Sequence, residues 1–153
     1  WFVTVHNPGW DMHGGPTQFN LPVGMERLGR PVDQAVSVFL DDLKDRGLDK
    51  KVLLVITGEF GRTPKVKSDG GRDHWPRLST LALAGGGLPT GVVVGRSNAQ
   101  AAEPAAGAVG PEHLLGTVLW TLFDVPELRM LPDIPRNLAR VIEAAEPIPG
   151  LAG

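Results

Sequence analysis

Val52-Leu53-Leu54-Val55-Ile56 is the segment that most narrows what this chain can fold into. Five consecutive apolar residues, three of them β-branched, are too short for a helix and suit a strand covered on both faces, as at the centre of a parallel sheet. A different pattern precedes it. Between Pro31 and Arg46, the residues Val32, Ala35, Val36, Phe39, Leu40 and Leu43 recur at steps of three and four, while Asp41, Asp42, Lys44 and Asp45 fall mostly elsewhere. That spacing predicts an amphipathic helix ended by Gly47. Helix, buried strand and Gly-containing loop make half of a βαβ crossover. Leu81–Ala84 and Val92–Val94 read as further strands, and Phe2–His6 is strand-like. Pro111–Phe123 reads as a second helix with Pro111 in its first turn, and about Pro135–Ala145 as a last one. The alternation of helices and buried strands indicates one α/β domain over residues 1–153.

Glycine and proline sharpen this. The 153 residues include 20 Gly and 14 Pro, against an average usage of about 12% for the two together. A helical bundle is excluded, and short elements joined by long, shaped loops are expected. Ala99–Ala108, crowded with Ala, Pro and Gly, reads as a solvent-exposed loop. The formal net charge of −2 gives no general attraction to nucleic acid or anionic lipid, and no apolar run reaches the ~20 residues of a membrane helix. With no cysteine, disulfides, zinc thiolates and cysteine nucleophiles are excluded. No G-x-G-x-x-G, P-loop or G-x-S-x-G pattern follows a strand.

Two polar clusters carry the candidate chemistry. Gly58–Arg77 directly follows the central strand and holds Arg62, Lys65, Lys67, Arg72 and Arg77 against Glu59, Asp69 and Asp73, a net +2 in a chain of −2. Strand carboxyl ends are where α/β sheets bind ligands, and guanidinium groups such as Arg62 and Arg72 match the oxygens of phosphate or sulfate. The other cluster, His6–Gly15, also follows a strand-like run. Asp11 and His13, one residue apart in a Gly-rich turn, are placed to converge on one ion, with Glu59, Asp73 and His74 as candidates from the longer loop. Oxygen and imidazole donors without thiolates suit zinc, manganese, iron, magnesium or calcium, and two or more His favour the transition metals. His6 is a candidate supporting group beside the first cluster. An Asp-x-His pair making only local turn hydrogen bonds is the competing reading.

Taken in order, Trp10-Asp11-Met12-His13-Gly14, Gly58-Glu59-Phe60-Gly61-Arg62-Thr63-Pro64, Gly71-Arg72-Asp73-His74-Trp75-Pro76 and Leu83-Ala84-Gly85-Gly86-Gly87 resemble the carboxyl-terminal part of the domain of unknown function 1501 family, a sulfatase-like branch of the alkaline phosphatase superfamily. Pro111-Glu112-His113-Leu114-Leu115 resembles a late helix of that family. The resemblance implies a mostly parallel sheet with helices on both faces and metal ions at the strand carboxyl ends. It implies Asp11, His13 and His74 as ligands, with Glu59 standing where many relatives have an Asp-His pair, so that a one-metal or altered site becomes plausible. Family members are about three times this length and take their nucleophile from an amino-terminal part, so the chain reads as the carboxyl-terminal portion of a larger domain. An extracytoplasmic or periplasmic location is implied by the resemblance alone.

The function expected on these grounds is a metal-dependent hydrolase of small-molecule or glycan sulfate or phosphate esters, with a divalent ion (zinc, manganese, magnesium or calcium) held by Asp11, His13, Glu59 and His74. Arg62 and Arg72 would hold the anion, and Asp73 and His6 would support the ligands. The alternative is a non-catalytic or degenerate α/β binding domain lacking a nucleophile; a phosphate-transferring mutase shares the metal logic.

Overall fold

The computed structural model describes residues 1–151. Its first helical stretch is longer than the sequence pattern suggests. Asn20 caps α1 (Leu21–Gly24), its side chain accepting from Val23 N–H at 3.1 Å. The stretch then passes through a π turn at Met25–Gly29 into α2 (Arg30–Asp45). A π turn lets the chain carry Pro31, which has no N–H to give and whose ring crowds the preceding turn of a regular helix. The predicted stop holds. Gly47 takes φ +64°, and Leu48 N–H returns to the Leu43 carbonyl at 2.7 Å, which satisfies the helix end.

The sheet is where the expectation fails. The central run forms β1 (Leu53–Thr57), but β1 pairs antiparallel with β4 (Leu81–Gly85), Leu53 opposite Gly85 and Thr57 opposite Leu81. The other ladders, β2 (Gly61–Arg62) with β3 (His74–Trp75) and β5 (Arg96–Ser97) with β6 (Pro104–Ala106), are antiparallel too. Among the described residues the strands therefore form three two-stranded antiparallel pairs, not a mostly parallel sheet with helices on both faces. The reason lies in the connection. Parallel neighbours need a crossover, usually a helix, to carry the chain back to the same end. Residues 58–80 contain no helix, only the small β2–β3 ladder and turns, so the chain returns beside β1 in the opposite direction.

Two further strand expectations also fail. Phe2–His6 is exposed and outside any strand, and Val92–Val94 is unpaired, with Val93 91% exposed. Neither run has a neighbouring strand among the described residues, so no ladder satisfies its backbone groups. The Ala99–Ala108 stretch is largely exposed as expected, although it contains β6.

The helices after the strands are α3 (Pro111–Leu122), α4 (Val125–Met130) and α5 (Arg136–Glu143). Asp124 caps α4 by accepting from Glu127 N–H at 3.0 Å. Here the chain buries Thr117 and Val125 completely, with Ile142, Ala145 and Ile148 nearly so. Thr117 Oγ1 donates to the His113 carbonyl and accepts from Ile148 N–H, both at 2.8 Å, and Trp120 Nε1 donates to the Ala145 carbonyl at 3.0 Å. Gly116 lets the tail pass close, since a Cβ there would meet the Glu146 carbonyl oxygen at 2.1 Å. No helix among the described residues is long and apolar enough to cross a membrane.

Candidate metal centre

Asp11 and His13 both reach the cluster from a segment that turns tightly, the N–H of the residue between them donating to the Trp10 carbonyl at 3.0 Å while its side chain is buried. That residue is Met12, only 4% exposed, and it seats against Gly24, where an added Cβ would lie 2.5 Å from its sulfur. One buried apolar side chain thus anchors the two polar ones beside it. Arg72 N–H then donates to the Met12 carbonyl at 2.9 Å, tying the segment to the 58–80 loop. The loop runs flush against His13 because residue 71 is glycine: a Cβ there would stand 1.8 Å from the His13 carbonyl oxygen.

The second half of the cluster comes from the β2–β3 ladder. Its register sets Arg62 opposite His74, so the two are cross-strand neighbours and reach the same partner. That partner is Asp11. Arg62 Nη2 donates to Asp11 Oδ1 at 2.7 Å, and His74 Nε2 lies 3.1 Å from the same oxygen. His13 Nε2 stands 3.0 Å from His74 Nε2 and 3.6 Å from Asp11 Oδ1. One ligand atom from each of Asp11, His13 and His74 therefore falls within 4.8 Å of the others, a spacing and donor set suited to one metal ion. The two imidazoles are tilted by 50° with centroids 4.7 Å apart, and the Phe60 ring backs His74 at 4.5 Å.

Around these three, Asp73 Oδ1 takes His13 Nδ1 at 3.0 Å and Lys67 Nζ at 3.0 Å. The hydrogen bond from Arg62, followed by that from His74, holds the Asp11 carboxyl below its ordinary value. Lys67 first, then His13, does the same for Asp73. Both carboxylates stay ionised where a cation would need them.

Of the residues singled out by sequence, the structure brings together Asp11, His13, His74, Arg62 and Asp73. It does not bring Glu59 or His6, both exposed and outside the cluster. Arg72 is nearby but engaged: Nε donates to the Thr63 carbonyl and Nη2 to the Arg62 carbonyl at 2.9 Å, so its guanidinium braces the loop. Arg62 Nη1 is buried and has no partner among the described residues.

Sequence reasoning missed Lys67, Thr63 and Met12 as parts of the site. Thr63 Oγ1 accepts from Asp73 N–H at 3.2 Å, and Thr63 N–H donates back to the Asp73 carbonyl at 2.9 Å, which fixes the backbone of the Asp73-His74 pair. The loop also folds around an open recess of about 640 Å³ lined by Thr63, Lys67, Ser68, Asp69 and Asp73 among others. Beyond it, Trp75 Nε1 donates to the Ala102 carbonyl at 2.7 Å, and Arg77 pairs with Glu103, so the 95–107 loop steadies β3 from outside.

The family model described as a protein of unknown function (DUF1501) matches residues 1–132, which include every residue of the cluster. No curated protein matches the chain. No solved structure matches it either.

Proposed function

This chain belongs to the DUF1501 family of proteins of unknown function, and we propose that Asp11, His13 and His74 hold a divalent metal ion in a hydrolase of sulfate or phosphate esters. The observation that carries this reading is the convergence of two imidazole nitrogens and one carboxylate oxygen within 4.8 Å, from segments about sixty residues apart. Two histidines with one carboxylate favour zinc, manganese or iron over magnesium or calcium. A bound ion would supply Lewis-acid polarisation of an ester oxygen and a more acidic bound water.

The chain's own residues do the rest. Arg62 positions Asp11 through a charge-assisted hydrogen bond from Nη2, while its Nη1 is buried. Asp73 fixes His13 through Nδ1. The recess beside Asp73 leaves room for the remainder of an ester. Sulfate and phosphate are both tetrahedral anions met by the same groups, so the class includes both, and the sulfatase-like relationship rests on the sequence motifs and this donor set rather than on strand order.

The test is hydrolysis of 4-nitrophenyl sulfate and 4-nitrophenyl phosphate by protein loaded with Zn²⁺ or Mn²⁺, against EDTA-treated protein and His13→Ala. Metal-dependent turnover abolished by His13→Ala supports the reading. A second reading, a metal-organised binding domain, is favoured by one observation: the Thr63 hydroxyl beside the cluster is committed to the Lys65 carbonyl and to Asp73 N–H, which disfavours it as a nucleophile. Metal binding without turnover on either ester would select that second reading.

A further inference from the structure

Lys67 is linked through one carboxylate oxygen to the histidine at the middle of the cluster. Asp73 Oδ1 accepts from Lys67 Nζ and from His13 Nδ1, each at 3.0 Å. An ionised carboxylate only accepts, so His13 Nδ1 carries a hydrogen; in the neutral ring Nε2 is then bare and faces His74 and Asp11. All three members of this chain are held from the backbone. Asp73 is bonded in both directions to Thr63. Lys67 N–H donates to the Gly71 carbonyl and the Lys67 carbonyl accepts from Gly70 N–H, both at 2.9 Å. Gly71 in turn lies against the His13 backbone, so the turn that places Lys67 and the segment that places His13 are in direct contact.

We propose that Lys67 is a positioning residue for a metal ion at Asp11, His13 and His74: by clamping Asp73 Oδ1 it keeps His13 in the Nδ1–H tautomer with Nε2 presented to the ion. This rests on the reading of those three residues as a metal site. The carboxylate needs the clamp. Asp73 is 55% exposed at its side chain, so without a second donor it exchanges freely between His13 and water, and an exposed carboxylate alone is a weak orienting group. A charge-assisted bond from an ammonium held at a turn restricts that exchange. Partners of this kind behind a metal ligand typically contribute about 10–100-fold in metal affinity.

The experiment uses the full chain with Lys67→Met, Lys67→Arg, Asp73→Asn and the Lys67→Met/Asp73→Asn double variant. The ring ¹⁵N shifts of His13 are read in metal-free protein, and Zn²⁺ affinity is measured by competition with a chromophoric chelator. Lys67→Met is expected to move His13 toward mixed tautomers and to weaken Zn²⁺ binding about 10-fold. Lys67→Arg should restore both, and the double variant should lose no more than Asp73→Asn alone, since Lys67 acts through Asp73. His13 shifts and Zn²⁺ affinity unchanged in Lys67→Met would overturn the proposal and leave an ordinary surface ion pair. Failure of the wild type to bind Zn²⁺ would instead remove the ion, and the tautomer shift alone would then support or overturn the hold of Lys67 on His13.

Discussion

His13 and His74 face each other through their Nε2 atoms at 3.0 Å, although 61 positions separate them. Two nitrogens at that distance need one hydrogen between them. Asp73 claims the His13 hydrogen at Nδ1, so the shared one belongs to His74 Nε2, which also faces Asp11 Oδ1 at 3.1 Å. A metal ion held by the same three atoms would take the place of that hydrogen. In ¹⁵N spectra of the metal-free protein His74 should therefore be the Nε2–H tautomer, and adding Zn²⁺ should move it to Nδ1–H while His13 stays Nδ1–H throughout. A change at His13, or none at His74 with Zn²⁺ bound, would contradict the arrangement.

Glu59 and His6 lie away from this meeting point. Glu59→Gln and His6→Ala should leave Zn²⁺ affinity within about two-fold, a difference well under the 1.4 kcal/mol of a tenfold change. A tenfold loss in Glu59→Gln would make it a ligand.

Gly71 is the contact that lets the loop meet His13. The Cβ of an alanine there would stand 1.8 Å from the His13 carbonyl oxygen, a clash with backbone that no side-chain rotation relieves. Gly71→Ala should cost about 1–3 kcal/mol of stability, read by denaturant unfolding, and should weaken Zn²⁺ binding as His13 is displaced.

Thr117 offers the opposite case, stability without the site. Its hydroxyl serves the His113 carbonyl and Ile148 N–H in a fully buried position. Thr117→Val leaves that N–H unpaired and should cost about 1–3 kcal/mol, with Zn²⁺ affinity per folded molecule unchanged. Loss of affinity in proportion to stability would show that the helical end and the metal centre fold as one unit.

The acid behaviour of the metal-free protein follows from Asp11 and Asp73. Both carboxyls are held below their ordinary values, the first chiefly by Arg62 and the second chiefly by Lys67. A lowered folded-state value means a contribution that is complete above the unfolded-state value and is lost as pH falls through the folded one. Carboxyl ¹³C titrations should place both midpoints below those of an unfolded peptide, and Arg62→Ala should raise that of Asp11. An unshifted Asp11 midpoint in the wild type would remove the Arg62 contact.

Much of the candidate site was legible because its residues fall in two short clusters: Asp11 and His13 by their spacing, Asp73-His74 and Arg62 by a charged, Gly-rich loop after a strand. The helices at Arg30–Asp45 and Pro111–Leu122 were legible from three- and four-residue periodicity. Strand direction was not, since an apolar run says nothing of which neighbour it meets, and the expected cover on both faces is missing too: β1 is half-buried, with Ile56 exposed. The signal that was available lay in residues 58–80, a connection without helical periodicity, which favours an antiparallel return. Asn20 before Leu21-Pro22, and Asp124 before Val125-Pro126-Glu127, were readable caps for the helices that periodicity missed. Lys67 was legible only as charge; its link to His13 depends on the turn at Gly70-Gly71.

The central claim is that one ion sits among Asp11, His13 and His74, and calorimetric titration of EDTA-treated full chain with Zn²⁺ and Mn²⁺ tests it most directly. The account predicts one ion per chain in the wild type, and binding weakened at least about 100-fold, some 2.7 kcal/mol, in each of Asp11→Asn, His13→Ala and His74→Ala. No binding of either ion by the wild type, or the same stoichiometry and affinity in all three variants, would contradict it.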